Sequence, residues 1–302
     1  TQLGSNGSST VNQSGADNWA SVEQGVGNTA ASNNRARINQ VGADMTGTPS
    51  EDAPPPNWQG ANSNIASVFQ NGTDGDAEIN QTGNNRGSIV QRYAPGGNQR
   101  AYINQRTVPN AGTENYAYAD QRGTNVEARV TQDNGSSNVG GVSQEIASDS
   151  YSEINQQNSD NNATSYQSGD NNTSYIYQNG NSAAFVTQIG DDNSSLVSQT
   201  ATDNSATVKQ LGDGGTSNIF QTASGNEATV TQKDGSNGAT SLISQSGADN
   251  DATVAQDGTD NTSNVYQSGT LNSAVVTQGG TNNLSNINQT GTGNIANVSQ
   301  GS

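Results

Sequence analysis

The sequence predicts an all-β fold, namely a β-solenoid with two strands per rung. Parallel rungs of about 22 residues are expected to stack in register as a cross-β array about 12 rungs tall. Three observations predict it. Over most of the last third of the chain, glutamines recur every 11 residues. A small residue lies four positions before each glutamine and a branched apolar residue two positions before, which is the period of a strand with one buried face. Gly and Asn stand between these segments, where the chain must turn.

The three sets of recurring residues define three candidate structural ladders, each expected to run along the stack. The glutamine ladder comprises Gln199, Gln210, Gln221, Gln232, Gln245, Gln256, Gln267, Gln278, Gln289 and Gln300. The apolar ladder comprises Val208, Ile219, Val230, Ile243, Val254, Val265, Val276, Ile287 and Val298. The turn, or arc, positions are Gly247, Asn250, Gly269, Asn272, Gly291 and Asn294.

The small residue alternates between Ser and Ala, which separates two kinds of strand and makes the true repeat a pair of strands. The pattern extends backwards with slips to Gln13, giving 24 strand segments. A single rung cannot bury its own apolar face, but stacked rungs can. A buried glutamine amide is costly without partners, so we expect each amide to donate to the next carbonyl along the column. At the arcs, Gly is expected to supply a positive φ, and Asn tolerates the left-handed conformation and hydrogen-bonds its own backbone.

Composition excludes several classes of function. Hydrophobic residues are only 28% of the 302-residue chain, against about 45–50% in ordinary globular domains. The chain has no Cys and no His, which excludes disulfides, zinc–sulfur sites and Ser-His-Asp or Cys-His hydrolases. The net charge of −17 disfavours binding to nucleic acid, and no apolar run reaches the roughly 20 residues of a membrane span. We therefore expect no cofactor, no metal, no catalytic residue and no membrane insertion.

The chain is predicted to be a single solenoid over residues 1–302, with a less regular part at 1–130 and regular repeats at 131–302. A loop at 41–63, which contains Pro54-Pro55-Pro56, is expected to leave the stack because proline cannot donate to a β-ladder. It is either a contact point between fibres or with a host surface, or a tolerated insertion.

Charge is distributed unevenly along the chain. All eight arginines fall between Arg35 and Arg129, so residues 1–130 carry a net charge of −3 and residues 131–302 a net charge of −14. The arginines either bind polysaccharide or the acidic half of another subunit, or form a solvated face. The Asp residues at the arcs occupy turn positions that Asp favours for backbone reasons, so neither catalysis nor specific metal binding is expected of them.

The motif Ser-x-Ile/Val-x-Gln-x-Gly-x-x-Asn-x-Ala-x-Val-x-Gln, nearly intact from Ser263 to Gln278, resembles the curlin repeat. Curlin is the major subunit of curli, the extracellular amyloid fibres of bacterial biofilms. The resemblance implies a two-strand β-solenoid that polymerises end to end on the cell surface. It also implies secretion through an outer-membrane pore and nucleation by a related minor subunit.

The leading hypothesis is therefore a self-assembling fibre subunit in the biofilm matrix that contributes to adhesion. The last strand segment, Asn294 to Gln300, keeps the full motif; we expect open ends without caps, which would template another copy. A monomeric surface-binding solenoid of the ice-binding kind is the alternative, and a minor nucleator is the alternative within the fibre class. A polysaccharide-cleaving β-helix enzyme would need a wider rung with a carboxylate-lined groove. No signal peptide is present, so a secreted chain is expected here in mature or trimmed form.

Overall fold

The computed structural model describes residues 6–15, 18–25, 33–41, 64–92, 97–107 and 114–301. In these residues the chain forms 24 β-strands and no helix. The strands are, in chain order, β1 Ser8–Ser14, β2 Trp19–Gln24, β3 Arg35–Val41, β4 Ile65–Gln70, β5 Asp76–Thr82, β6 Asn85–Gln91, β7 Arg100–Arg106, β8 Asn115–Gln121, β9 Glu127–Asp133, β10 Val139–Ser148, β11 Tyr151–Gln157, β12 Asn162–Asp170, β13 Thr173–Asn179, β14 Ala183–Ile189, β15 Ser194–Gln199, β16 Ser205–Gln210, β17 Thr216–Gln221, β18 Glu227–Gln232, β19 Thr240–Gln245, β20 Asp251–Asp257, β21 Thr262–Gln267, β22 Ser273–Gly279, β23 Leu284–Gln289 and β24 Ile295–Gln300.

The strands form two parallel sheets of 12 strands each. Odd-numbered strands make one sheet and even-numbered strands the other, each in chain order, so consecutive strands lie in opposite sheets. This is the predicted two-strand solenoid. It makes about 11 turns with about 23 residues per turn. The turn is slightly longer than the predicted 22 residues because several N-terminal rungs carry extra residues between strands.

Neighbouring rungs pair in register, so that equivalent residues lie side by side. Strands β19 and β21 place Ser241 opposite Ser263 and Gln245 opposite Gln267. The register survives long insertions, since Gln24 of β2 lies opposite Gln70 of β4. One irregularity occurs where β10 meets β12, with a register shift between Gln144 and Ala147 of β10. The stack is therefore continuous even where the sequence repeat slips.

Every second side chain of most strands is buried between the two sheets, as the period-2 pattern predicts. One continuous cluster of buried Ala, Val and Ile residues extends from Ala36 to Ile287. The intervening side chains face outward. No helix among the described residues has the length and hydropathy needed to cross a membrane.

The predicted loop at 41–63 lies outside the described residues, apart from Val41 at the end of β3.

Candidate functional site: the stacked amide columns

The glutamines form two hydrogen-bonded columns, one in each sheet. In the odd-strand sheet, Nε2 of Gln245 donates to Oε1 of Gln267 at 2.9 Å, and Nε2 of Gln267 donates to Oε1 of Gln289 at 2.8 Å. In the even-strand sheet, Gln256 donates to Gln278 at 3.0 Å and Gln278 to Gln300 at 2.9 Å. The other predicted ladder residues, Gln199, Gln210, Gln221 and Gln232, continue the same two chains of amides.

Each glutamine amide also binds the backbone of the facing strand. Nε2 of Gln267 lies 2.9 Å from the carbonyl oxygen of Asp251 and 3.1 Å from that of Asn272. The buried amide thus ties its own column to the opposite sheet and to the following arc. A buried amide with these partners escapes the desolvation penalty of an unpaired polar group.

The apolar ladder lies beside the glutamines and closes the core. Its members from Val208 to Ile287 are buried, whereas Val298 in the outermost rung β24 is only partly buried. Equivalent residues contact along the stack, as where Val254 lies opposite Val276. Small residues in the neighbouring column let the two sheets approach closely, in the manner of a steric zipper.

The arc asparagines form a further column, in which the hydrogen bonds between side chains run in the opposite direction. Asn250 and Asn272 are buried, and Asn294 in the last rung is exposed. The backbone N–H of Asn272 and its Nδ2 both donate to Oδ1 of Asn250, at 3.0 and 3.1 Å. Asn294 repeats this arrangement on Asn272, at 3.0 and 2.9 Å. Between asparagines, donation therefore runs toward the N-terminus, whereas between glutamines it runs toward the C-terminus. Nδ2 of Asn272 also donates to the carbonyl oxygen of Gly291 on the next rung, at 3.1 Å.

The predicted backbone conformation of the arcs is partly wrong. Among the predicted arc glycines, Gly291 has the expected positive φ of 100°, but Gly247 and Gly269 do not. At those two positions a Cβ atom would collide with the carbonyl oxygen of the next rung, so glycine is required by close stacking. The arc asparagines are also not left-handed; the residue before them is, as at Leu271 with a φ of 57°.

The odd-strand sheet contains a column of buried serines whose hydroxyls have no hydrogen-bond partner among the described residues, a feature that the sequence pattern did not predict. Seven consecutive odd strands place a serine at the same inward position, and none of their Oγ atoms has a hydrogen-bond partner in the described chain: Ser152, Ser174, Ser195, Ser217, Ser241, Ser263 and Ser285. Equivalent residues of neighbouring rungs lie about 4.8 Å apart, and no hydroxyl of this column comes within hydrogen-bond distance of the next. In the four described rungs from β3 to β9 the same column holds alanines, from Ala36 to Ala128.

The arginines of the N-terminal part pair with acidic residues, mostly on the next rung of the same sheet. Arg37 binds Glu78 at 3.2 Å and Arg92 binds Asp120 at 3.1 Å. Because these pairs lie at the surface and are partly exposed, each contributes at most about 1 kcal/mol. Their spacing along the axis favours a role in aligning rungs. No cluster of acidic side chains in the described residues could hold a metal ion.

Tyrosines and one arginine cover the outer face of β7 to β13. The Arg129 guanidinium lies between the rings of Tyr102 and Tyr151, 5.4 and 6.0 Å from their centroids, and Tyr175 contacts Tyr151 at 5.5 Å. Partial burial, together with the hydrogen bond that the Tyr151 hydroxyl donates to Glu153 at 2.6 Å, raises the pKa of Tyr151 well above its ordinary value. The side chains of this cluster thus contact one another through cation–π, aromatic and hydrogen-bond interactions.

These features define a class: a structural protein made of stacked β-solenoid rungs that are joined by buried amide columns. The family model for the curlin associated repeat matches residues 181–212, 240–269 and 258–291. Residues 181–212 and 240–291 are therefore similar to the curlin associated repeat, which supports the resemblance seen in the sequence. The count of twelve repeats does not rest on that match, which lies in the C-terminal part. No curated protein matches the chain. The repeat family and the fold point to a structural protein and not to an enzyme.

Proposed function

We propose that this protein is the structural subunit of an extracellular, curli-like amyloid fibre. It assembles head to tail on the cell surface and contributes to the biofilm matrix and to surface adhesion. The observation that carries the proposal is the direction of the amide columns.

Every regular rung offers complementary groups on its two edges. On the edge toward the C-terminus, a glutamine presents an amide donor and an asparagine presents an Oδ1 acceptor, as Gln267 and Asn272 do for the following rung. On the edge toward the N-terminus the roles are reversed. A second copy that stacks head to tail continues both columns, together with the parallel backbone ladder.

Contacts between two like edges, C-terminal with C-terminal or N-terminal with N-terminal, do not continue the amide columns or the parallel backbone ladder. Two C-terminal edges brought together would place amide donors against amide donors, and the strands would run antiparallel across the contact. Because the two edges differ, the favoured contact is heterologous, and repetition of a heterologous contact that does not close yields a filament.

The curlin resemblance also suggests a nucleator subunit and an outer-membrane secretion pore as partners. Both partners remain proposals by family analogy. The role of a minor nucleator for this chain itself is less well supported, since its C-terminal rungs are as regular as bulk fibre material requires.

The surface-binding alternative needs a flat, regular array of threonines. A threonine column does exist on the even-strand sheet, where Thr207, Thr229 and Thr253 lie in register. It is flanked by Phe185 on one side and Val275 on the other, so the array is only three rungs long. This favours the fibre hypothesis.

The test is assembly after dilution from denaturant, followed by electron microscopy and by seeding with sonicated fibres. We expect thin unbranched fibres, and we expect seeds to abolish the lag. A double variant, Gln289→Glu and Gln300→Glu, replaces the outermost amide donors of the two columns by carboxylates, and it should fold but fail to elongate seeds. A soluble β-rich wild-type monomer at high concentration would contradict the proposal.

A further inference from the structure

The outer face of the odd-strand sheet carries no charged side chain over the six rungs from β13 to β23. Every outward side chain of these strands is Thr, Ser, Asn, Tyr, Leu or Phe. All charged residues after Asp170 lie instead in even strands or in arcs, and the even-strand face of the same rungs holds Lys209, Glu227 and Asp251. Because residues 131–302 have a net charge of −14, two copies that meet through the uncharged face avoid opposing like charges.

Four of these rungs carry one large side chain and one small or amide side chain at their two middle outward positions. The pairs are Leu196 with Ser198, Phe220 with Asn218, Leu242 with Ser244, and Tyr266 with Asn264. The large residue comes first in β15 and β19 and second in β17 and β21, so the large side chains form a zigzag along the stack. Tyr266 is exposed and the other three are partly exposed, so all four are accessible to another chain.

This zigzag is complementary to itself. A two-fold axis parallel to the stack, placed over the inward column of Ile219 and Ile243, brings the same rung of two copies face to face with opposite strand directions. The first middle position of one copy then faces the second middle position of the other. Leu242 of one copy faces Ser244 of the second copy, and the other three pairs match in the same way. Each large side chain thus lies opposite a small or amide side chain, as in a steric zipper.

The area of the face is sufficient for a specific contact. Six strands about 4.8 Å apart and about 20 Å long cover roughly 600 Å² per copy, or about 1,200 Å² for the pair. This value is the lower end of the range of stable interfaces, about 1,200–2,000 Å². The axis gives both copies the same polarity, so that each further copy in two growing solenoids adds the same contact and strengthens the pairing.

We infer that a second copy of this chain covers the outer face of the odd-strand sheet, and that the two solenoids pair side by side about a two-fold axis along the stack. The contact is isologous, goes beyond the head-to-tail contact and does not depend on it. The charged rungs that precede β13 on this face do not oppose the pairing. There Arg106 pairs with Asp133 at 3.6 Å and Arg129 with Glu127 at 2.6 Å within each copy.

Lysine substitution tests which face is covered. The variant Ser198→Lys with Ser244→Lys places charges on the odd-strand face, and Thr207→Lys with Thr253→Lys is the matched control on the even-strand face. Both variants make the net charge less negative by the same amount, so general repulsion changes equally. Lys209 already occupies an outward position of the even-strand sheet, and unchanged melting temperatures would show that both variants fold.

The measurement is the number of solenoids that lie side by side. Sedimentation equilibrium gives this number for the soluble chain, and the mass per unit length from electron microscopy gives it for fibres. We expect pairs in the wild type and in the even-face control. The odd-face variant should have a dissociation constant raised about a hundredfold, because each lysine would be buried without a partner, and its fibres should have half the mass per unit length.

A second pair of variants tests the two-fold axis. Ser244→Leu adds apolar surface, but it sets a large side chain against Leu242 of the second copy and should abolish pairing. Adding Leu242→Ser places a large side chain opposite a small one again and should restore pairing. A two-fold axis across the stack would set residue 244 against Phe220 in both variants, so a double variant that stays unpaired would contradict the axis along the stack.

Single solenoids in the wild type, equal effects of the two lysine variants, or loss of pairing in the even-face variant alone would overturn the inference. Soluble pairs that form no fibres would overturn the proposed fibre function and leave the pairing standing. Unpaired wild-type fibres would leave the fibre function standing and overturn the pairing.

Discussion

Replacement of the buried serines by alanine should stabilise the solenoid, although most core substitutions destabilise proteins. The perturbation is the triple variant Ser217→Ala, Ser241→Ala and Ser263→Ala. These hydroxyls lie within the core without a hydrogen-bond partner in the described chain. Alanine already fills the same column in earlier rungs, for example at Ala101 and Ala128, so the backbone accepts it without change.

The magnitude follows from the cost of burying an unpaired hydroxyl. That cost is about 1–3 kcal/mol per group, and the loss of dispersion contacts from one oxygen atom offsets a few tenths of it. We therefore expect a gain of about 1 kcal/mol per site. None of the three hydroxyls is hydrogen-bonded to another, and the three single effects sum to about 3 kcal/mol. Because residues on adjacent rungs are in contact and can couple, the single variants are measured beside the triple variant. The sum is a large fraction of the 5–15 kcal/mol that stabilises a typical domain.

The assay is guanidinium unfolding of the soluble chain, followed by far-ultraviolet circular dichroism below the concentration at which it assembles. Ser150→Ala is the matched control, because this serine is equally buried but its Oγ donates to the carbonyl oxygen of Ser148 at 3.0 Å and accepts from the backbone N–H of Asn172 at 3.1 Å. The control should lose about 1–2 kcal/mol. A triple variant that is less stable than the wild type would refute the reasoning, because it would mean that the serine hydroxyls are paired in solution.

Three further outcomes are expected. Gln267→Leu should lower the free energy of unfolding by about 3 kcal/mol or more, since it removes buried hydrogen bonds along the column and to the facing strand. The control Asn264→Ala removes one exposed side-chain hydrogen bond on the same strand and should lower it by less than about 1 kcal/mol. Equal losses of the two variants in guanidinium titrations would contradict the ladder. Gly247→Ala should lower the melting temperature sharply, because its Cβ collides with the next rung. At Gly279 the nearest atoms to a Cβ are 3.8 Å away, so Gly279→Ala should leave the melting temperature unchanged. An unchanged melting temperature for Gly247→Ala would show that the arcs of neighbouring rungs can separate. Because the pKa of Tyr151 is raised in the folded chain, its stabilising contribution is complete below the ordinary pKa of about 10 and falls as pH rises toward the folded value. Tyr151→Phe should therefore lessen the loss of stability at alkaline pH, measured as the free energy of unfolding at a series of pH values. An unchanged loss would contradict the assignment of that loss to Tyr151.

The fold could be predicted because one pattern recurs with little variation. Each of the 24 recurring glutamines lies in a strand. The residues at two and four positions before it share its face of the strand, which is buried in every strand except the outer strands β1, β2 and β24. The repeat also predicted which strands pair, since stacking of equivalent segments is the only way for a two-strand rung to bury its apolar side.

Other features depend on what lies opposite in the neighbouring rung, which one rung's sequence does not reveal. The requirement for glycine at Gly247 and Gly269 comes from the carbonyl of the next rung, not from the local backbone angle. The missing partners of the serine hydroxyls depend on side-chain orientation and on the glutamines already being engaged elsewhere. The opposed directions of the glutamine and asparagine columns require side-chain orientations, since either direction fits the same residues.

X-ray diffraction from aligned fibres of the wild-type chain tests the central claim most directly, namely that in-register rungs continue from one copy to the next along a single axis. The account predicts a sharp reflection near 4.8 Å on the meridian, because the strands then lie perpendicular to the fibre axis. A 4.8 Å reflection on the equator would mean that the solenoids lie across the fibre and associate by their outer faces, and would contradict it.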